Sequence, residues 1–175
     1  MTDLKSQIIE TPDFPEPGVL FRDFSPLLRD YFPATLDAVE ALLTPAEWSP
    51  IDVIAGVDAR GFVLGAGLAA RRRLGFVPIR KAGKLPPPVE RLTYKLEYGD
   101  ATLEMHHGRG RLVLVDDVYA TGGTLAAAAM LCVRSGFDLR AILVLADLRL
   151  DGAAAVVNGM PVRSVFHYGL GSALS

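Results

Sequence analysis

The sequence predicts an α/β domain: a mostly parallel sheet with helices on both faces. Short apolar runs alternate along the chain with longer amphipathic ones, as repeated strand–helix units require. Of the 175 residues, 50% are hydrophobic and 22% charged, enough for one substantial core. No Ser-, Gly- or Pro-rich linker divides the chain, and no internal repeat appears at a solenoid period. Residues 1–175 are therefore read as a single domain.

The first 33 residues are rich in proline and read as an irregular entry segment. In 34–43, Leu36, Val39, Leu42 and Leu43 fall at helical spacing. IDVIAGV (51–57) reads as a buried strand, FVLGAGLAARRRLG (62–75) as a helix closed by Gly75, and FVPIR (76–80) as a second strand. The stretch 81–99 is the most loop-like, because three consecutive prolines exclude both a helix interior and a central strand. TLEMH (102–106) alternates and can pair with 93–98 as a hairpin. LVLV (112–115) is a third buried strand, 124–135 an Ala-rich helix, and AILVLA (141–146) a fourth strand. A small helix near 151–157 and a strand near 162–168 complete the chain. In such sheets ligands sit outside the carboxyl ends of the strands, which directs attention to the loops after residues 57, 80 and 115.

Composition excludes several classes of function. The net charge is −2, from 18 basic and 20 acidic residues, without the basic excess of a general nucleic-acid binder. The longest purely apolar run, Leu125 to Val133, is too short to span a membrane. The N-terminus has acids where a signal peptide needs a basic flank and an apolar block, so a soluble, cytoplasmic protein is expected. The single cysteine, Cys132, excludes an intramolecular disulfide and reads as a buried, inert core residue.

The most informative stretch is LVLVDDVYATGGT (112–124). An apolar strand delivers two adjacent acids, Asp116 and Asp117, and the turn Ala120-Thr121-Gly122-Gly123-Thr124 opens a helix. Small residues leave the backbone N–H groups unobstructed, and the helix N-terminus adds the positive end of its dipole, so the turn reads as a phosphate cradle. Thr121 and Thr124 add hydroxyl donors. A plain tight turn explains the glycines but not the acid pair. Two carboxylates beside an anion site fit the vicinal hydroxyls of a ribose, and a divalent cation on the same oxygens also fits.

This stretch resembles the phosphoribosyl-pyrophosphate signature of type I phosphoribosyltransferases. PDFPEPGVLFRD (12–23), AGVDARGF (55–62), IRKAGKLP (79–86) and YKLEYG (94–99) are similar, in order and spacing, to blocks of the adenine-specific members of that family. The match runs from about residue 10 to about 150. The resemblance implies the type I phosphoribosyltransferase fold with a flexible hood loop over 84–100 and a base-binding segment over 1–33. It implies transfer of ribose 5-phosphate from phosphoribosyl pyrophosphate to N9 of adenine, with Mg²⁺ held mainly through the substrate rather than by direct protein ligands. The 5′-phosphate and ribose would be bound by Asp116, Asp117, Ala120, Thr121, Gly122, Gly123 and Thr124. Pyrophosphate would be bound by Arg60, Arg80, Lys81, Lys84 and Tyr98, part of this cluster reaching a second subunit of a homodimer. Adenine would be bound at Val19, Leu20, Phe21 and Arg22. Glu97 would be the general acid at adenine N7. Another purine base (hypoxanthine, guanine or xanthine) and a regulator that senses phosphoribosyl pyrophosphate stay open as alternatives.

Other features carry less. GAGLAA (65–70) matches a dinucleotide fingerprint, but its glycines lie inside a helical stretch and read as close helix–sheet packing. His106 and His107 are adjacent on an extended segment, point apart, and read as solvated turn residues. Arg71, Arg72 and Arg73 sit at a helix end, where cations suit the dipole. Tyr119 stands where many relatives carry an aliphatic residue.

Overall fold

The computed structural model describes residues 3–96, 99–149 and 155–168. The chain divides into two compact units, Met1–Ala41 and Leu42–Ser175. In the N-terminal unit, strands β1 (Ile9–Thr11) and β2 (Phe21–Asp23) pair antiparallel, and helices α1 (Ser25–Arg29) and α2 (Phe32–Glu40) follow. The expectation of an irregular segment over 1–33 is thus corrected. Pro26 and Pro33 do not prevent these helices. Each lies in a first turn, where its missing N–H would have had no intrahelical partner. The Thr35 hydroxyl ties the two helices by hydrogen bonding to the Leu27 and Tyr31 carbonyls at 3.2 and 3.0 Å.

The larger unit begins with α3 (Pro45–Trp48), closed by a capping box between Thr44 and Glu47. Its sheet has the order β5-β6-β4-β3-β7-β8-β10-β9. The strands are β3 (Val53–Val57), β4 (Gly75–Lys81), β5 (Glu90–Leu96), β6 (Gly99–Met105), β7 (Arg111–Tyr119), β8 (Asp138–Asp147), β9 (Val156–Val157) and β10 (Met160–His167). Strands β4, β3, β7, β8 and β10 run parallel; β5, β6 and β9 add antiparallel edges. All of β3 is buried, as a parallel strand covered on both faces must be.

Two helices cover the two faces. Helix α5 (Gly123–Arg134) packs its alanines on the face that carries Val53, Ala55, Leu112, Leu114 and Ile142. Helix α4 (Arg60–Arg72) lies on the other, where a side-chain carbon on Gly65 would come within 2.9 Å of the Phe76 ring. GAGLAA therefore serves helix–sheet packing. Cys132 is fully buried and burial pushes its thiol up to about 12, so it is inert.

Two further expectations need correction. The stretch read as most loop-like, 81–99, contains strand β5, which pairs with β6 as the hairpin expected of 93–98 and 102–106 but starts earlier, at Glu90. The prolines end at Pro88, and beyond them Leu92 turns into the core while Thr93 pairs with Thr102, their hydroxyls 2.8 Å apart. The small helix expected near 151–157 gives way, at its described end, to strand β9, paired with β10; residues 150–154 lie outside the described residues. Asn158 and Gly159 both take positive φ (51° and 79°), as a two-residue hairpin turn demands.

Two carboxylates, the exposed Asp52 and the half-buried Glu47, clamp neighbouring segments to this sheet. Arg111 grips Asp52 with Nε, Nη2 and its own backbone N–H at 2.8–3.0 Å, and holds that carboxyl at about 2. Glu47 is likewise lowered to about 2, chiefly by Arg163 and then by Thr44. Both folded values lie below the ordinary ones of 3.8 and 4.5, so their contribution is present above the ordinary values and is lost as pH falls through about 2. The melting temperature is therefore expected to fall between pH 4.5 and pH 2. Asp52→Asn should flatten part of that fall in a thermal titration, and an unchanged slope would reject the assignment.

Candidate active site

Strand order reverses between β3 and β7: β3 leads through α4 to β4 on one side, while β7 and β8 lie on the other. A crevice at such a reversal is where open α/β sheets bind ligands. The segments that border it are the 58–60 turn after β3 and the 116–124 stretch of β7 and α5.

The acid pair lies within the strand, since β7 continues through Tyr119 instead of ending at Val115. Asp116 and Asp117 are both buried. Burial first, and then the neighbouring Asp117 charge, push the Asp116 carboxyl well above the ordinary carboxylate range. Its Oδ1 accepts the Asp117 backbone N–H at 2.9 Å. Arg60 Nε stands 2.7 Å from Asp117 Oδ2, but its N–H is not aimed along that line, so the contact is ionic and Oδ2 keeps an unused hydrogen-bonding direction. A ligand with a diol and a phosphate can divide this pair, the hydroxyls going to Asp117 and the phosphate to Arg60.

Helix α5 opens at Gly122, which has φ +83°, and no side chain caps its first turn. Its leading N–H groups, with those of Thr121 and Gly123, are thus free of side-chain acceptors and suit an anion. Tyr119 floors the turn. A side-chain carbon on Gly122 would meet the Tyr119 ring at 2.7 Å. The ring is itself held under the Arg149 guanidinium, 4.7 Å from its centroid, and Arg149 pairs with Asp147 at 2.9 Å. Sequence reasoning marked Tyr119 as a departure but missed Arg149 and Asp147, which lie beyond the run read as strand.

Of the sequence-predicted cations, Arg80 and Lys84 are brought into contact and Lys81 lines a cleft. Arg80, at the end of β4, has Nε 3.6 Å from Asp58 Oδ2, and its Nη1 donates to the Lys84 carbonyl at 3.4 Å. Lys81 and Lys84 are exposed. A cleft of about 540 Å³ is lined by Val57, Asp58, Lys81, Tyr94, Thr102 and Thr124. Tyr94 on β5 meets Thr124, hydroxyl to hydroxyl, at 3.2 Å, so the hairpin rests on the 120–124 turn. Tyr94 and Glu104 are site residues that the sequence reading did not single out; Glu104 offered a signal, an acid inside an alternating strand. Glu97 and Tyr98 lie outside the described residues.

Val19, Leu20, Phe21 and Arg22 belong to the N-terminal unit. The Val19 carbonyl accepts from the Phe14 N–H and its own N–H donates to the Glu16 carbonyl, both at 3.2 Å. Phe21 meets Phe14 edge to face at 5.2 Å, and Arg22 pairs with Glu10, its register partner across β1 and β2, at 2.8 Å.

His106 Nδ1 lies 3.0 Å from the Pro88 carbonyl and His107 is exposed. No three His, Cys, Asp or Glu side chains converge as a metal cage among the described residues. No helix among them is long and apolar enough to cross a membrane.

Comparison with known proteins agrees with this geometry. The profile of the phosphoribosyl transferase domain matches residues 38–146. The adenine phosphoribosyltransferase of Bdellovibrio bacteriovorus is 50% identical over 83% of this chain and 88% of its own length. The structure of the Saccharomyces cerevisiae adenine phosphoribosyltransferase, complexed with an imino-altritol bisphosphate and adenine, superposes with a TM-score of 0.82 at 34% identity, covering 93% of this chain and 96% of that one. That of the Giardia lamblia enzyme with 9-deazaadenine gives 0.76 at 35% identity, covering 94% and 96%. With a buried acid pair, an open helix N-terminus and a matching profile over more than half its length, the chain belongs to the phosphoribosyltransferase family, among the adenine phosphoribosyltransferases.

Proposed function

We propose that this enzyme moves ribose 5-phosphate from phosphoribosyl pyrophosphate to N9 of adenine, forming AMP and pyrophosphate in purine salvage. The observation that carries the reading is the buried Asp116–Asp117 pair beside the uncapped start of α5, with Arg60 against it. The turn 120–124 holds the 5′-phosphate through backbone N–H groups and the Thr121 and Thr124 hydroxyls. Asp117, with Asp116, takes the ribose hydroxyls. Arg60, Arg80, Lys81, Lys84 and Tyr98 take the pyrophosphate.

As the bond at C1′ breaks, the sugar gains oxocarbenium character and the leaving group gains negative charge. Fixed cations stabilise that charge without reorganising. Val19, Leu20, Phe21 and Arg22 hold the base; as N9 bonds C1′ and the C1′–pyrophosphate bond breaks, the Glu97 carboxylate takes from N7 the ring proton that adenine must lose, and it is the general acid at N7 in the reverse direction. The hood over 84–100 excludes water that would otherwise hydrolyse the sugar.

Magnesium fits this donor set as a cation carried chiefly on substrate oxygens. No three acidic side chains converge as a cage among the described residues, so the substrate oxygens would supply most of its ligands, and its contribution would be to neutralise the pyrophosphate charge. The enzyme works as a homodimer in the cytoplasm. The test is an assay of the purified protein with phosphoribosyl pyrophosphate and each purine base in turn. Adenine is the expected acceptor, and turnover of hypoxanthine, guanine or xanthine with none of adenine would overturn the base assignment.

A further inference from the structure

Glu104 is fully buried, yet it sits in the middle of an antiparallel sheet edge between two arginines. In register it opposes Arg80 on β4 and Arg91 on β5. Its neighbours Leu103 and Met105 turn the other way, into the core. One carboxylate oxygen, Oε1, accepts the backbone N–H groups of Lys84 and Leu85 at 2.6 and 2.7 Å. The other, Oε2, accepts Arg91 Nε at 3.0 Å. Arg80 closes the ring by donating to the Lys84 carbonyl. A single side chain thus pins the turn that carries Lys84, braces Arg80 and ties both to the hairpin.

We propose that Glu104 is a positioning residue for pyrophosphate, holding the 82–85 turn so that Arg80 and Lys84 present their charges in fixed places. The proposal rests on the reading of Arg80, Lys81 and Lys84 as pyrophosphate-binding residues. Glu104 touches no reacting atom and acts through the turn. A carboxylate is needed because two donors converge on one oxygen while a guanidinium takes the other. A glutamine offers one oxygen and turns its NH₂ against donors. Burial would raise the Glu104 carboxyl, but the N–H groups of Gly83, Lys84 and Leu85 and the Arg91 guanidinium outweigh it and hold it at about 2. It is therefore ionised throughout the working range, and its titration leaves no mark on the pH–rate profile.

The test is calorimetric binding of inorganic pyrophosphate with Mg²⁺, and separately of AMP, to the full-length protein. Glu104→Gln is expected to weaken pyrophosphate binding and raise KM for phosphoribosyl pyrophosphate about 10-fold, with AMP binding changed less than about 2-fold. Arg91→Gln, which removes the guanidinium from Oε2 and so loosens the carboxylate that holds the turn, is expected to weaken pyrophosphate binding about 3-fold and to spare AMP in the same way. It carries the test should Glu104→Gln fail to fold. Unchanged pyrophosphate binding in the folded variants overturns the proposal, as does an equal loss of pyrophosphate and AMP binding, which would mean that Glu104 merely supports the fold. Arg80→Gln separates the two layers. If it weakens pyrophosphate binding and Glu104→Gln does not, the positioning role falls alone. If neither does, the pyrophosphate reading falls and takes the positioning role with it.

Discussion

Asp117→Asn is expected to lower kcat/KM for phosphoribosyl pyrophosphate about 100-fold, a loss of about 2.7 kcal/mol in transition-state stabilisation. Asp116→Asn is expected to cost about 10-fold or less. The asymmetry follows from what surrounds the two neighbours. Asp117 faces Arg60 at 2.7 Å and keeps an unused acceptor direction on the same oxygen. An amide there turns donors toward both a guanidinium and a hydroxyl, so it loses the ion pair and the hydroxyl acceptor together.

Asp116 is more deeply desolvated, and its pKa is raised first by burial and then by Asp117. A carboxyl that resists ionisation is imitated well by a neutral amide, whose oxygen can still accept the Asp117 N–H. Because the folded pKa is raised, keeping Asp116 ionised at neutral pH opposes folding. Asp116→Asn should therefore melt no lower than the parent at pH 7. Steady-state kinetics on the two variants, with melting curves, checks both statements. Equal losses in the two variants would remove the distinction between the acids.

The arrangement at 112–124 was legible in sequence because it is local: strand, acids, small residues and helix start follow one another without help from elsewhere. The parallel core was legible for the same reason, since β3 and the 112–115 part of β7 are unbroken apolar runs. What depends on register was not. Glu104 acquires its meaning from donors 20 and 19 residues upstream and from lying opposite Arg80, which no local pattern encodes. Tyr94 reaches Thr124 across 30 residues. Of the helix expected near 151–157, only the described end departs: Val156–Val157 is strand, and the Asn158-Gly159 turn that joins it to β10 is a local signal in the sequence. In the N-terminal unit the helix expected over 34–43 is α2, whereas α1 is missed because Pro26 reads as part of an irregular segment, although in a first turn it favours the helix.

Gly56→Ala is expected to destabilise the protein by about 3 kcal/mol or more, above the usual range for adding one methyl to a packed interior. The added carbon would lie 2.4 Å from the Gly61 carbonyl oxygen and 2.9 Å from the Gly61 carbonyl carbon, with the Phe76 ring at 3.0 Å. A ring can shift by tenths of an ångström, but the carbonyl belongs to the first turn of α4 and cannot move alone. Relief requires the start of α4 to lift from β3, and that start carries Arg60. The variant should thus lose urea stability and pyrophosphate affinity together. Gly75→Ala is the control. It lies on the neighbouring strand β4, where the added carbon would meet Val53 at an ordinary 3.6 Å. It should stay within about 0.5 kcal/mol of the parent, because a strand position without steric conflict gains slightly from losing glycine's freedom in the unfolded chain. Urea unfolding of both variants, with unchanged m-values, decides the matter. A Gly56→Ala midpoint equal to that of Gly75→Ala would mean that α4 is free to draw back from the sheet, and that close packing does not fix the position of Arg60.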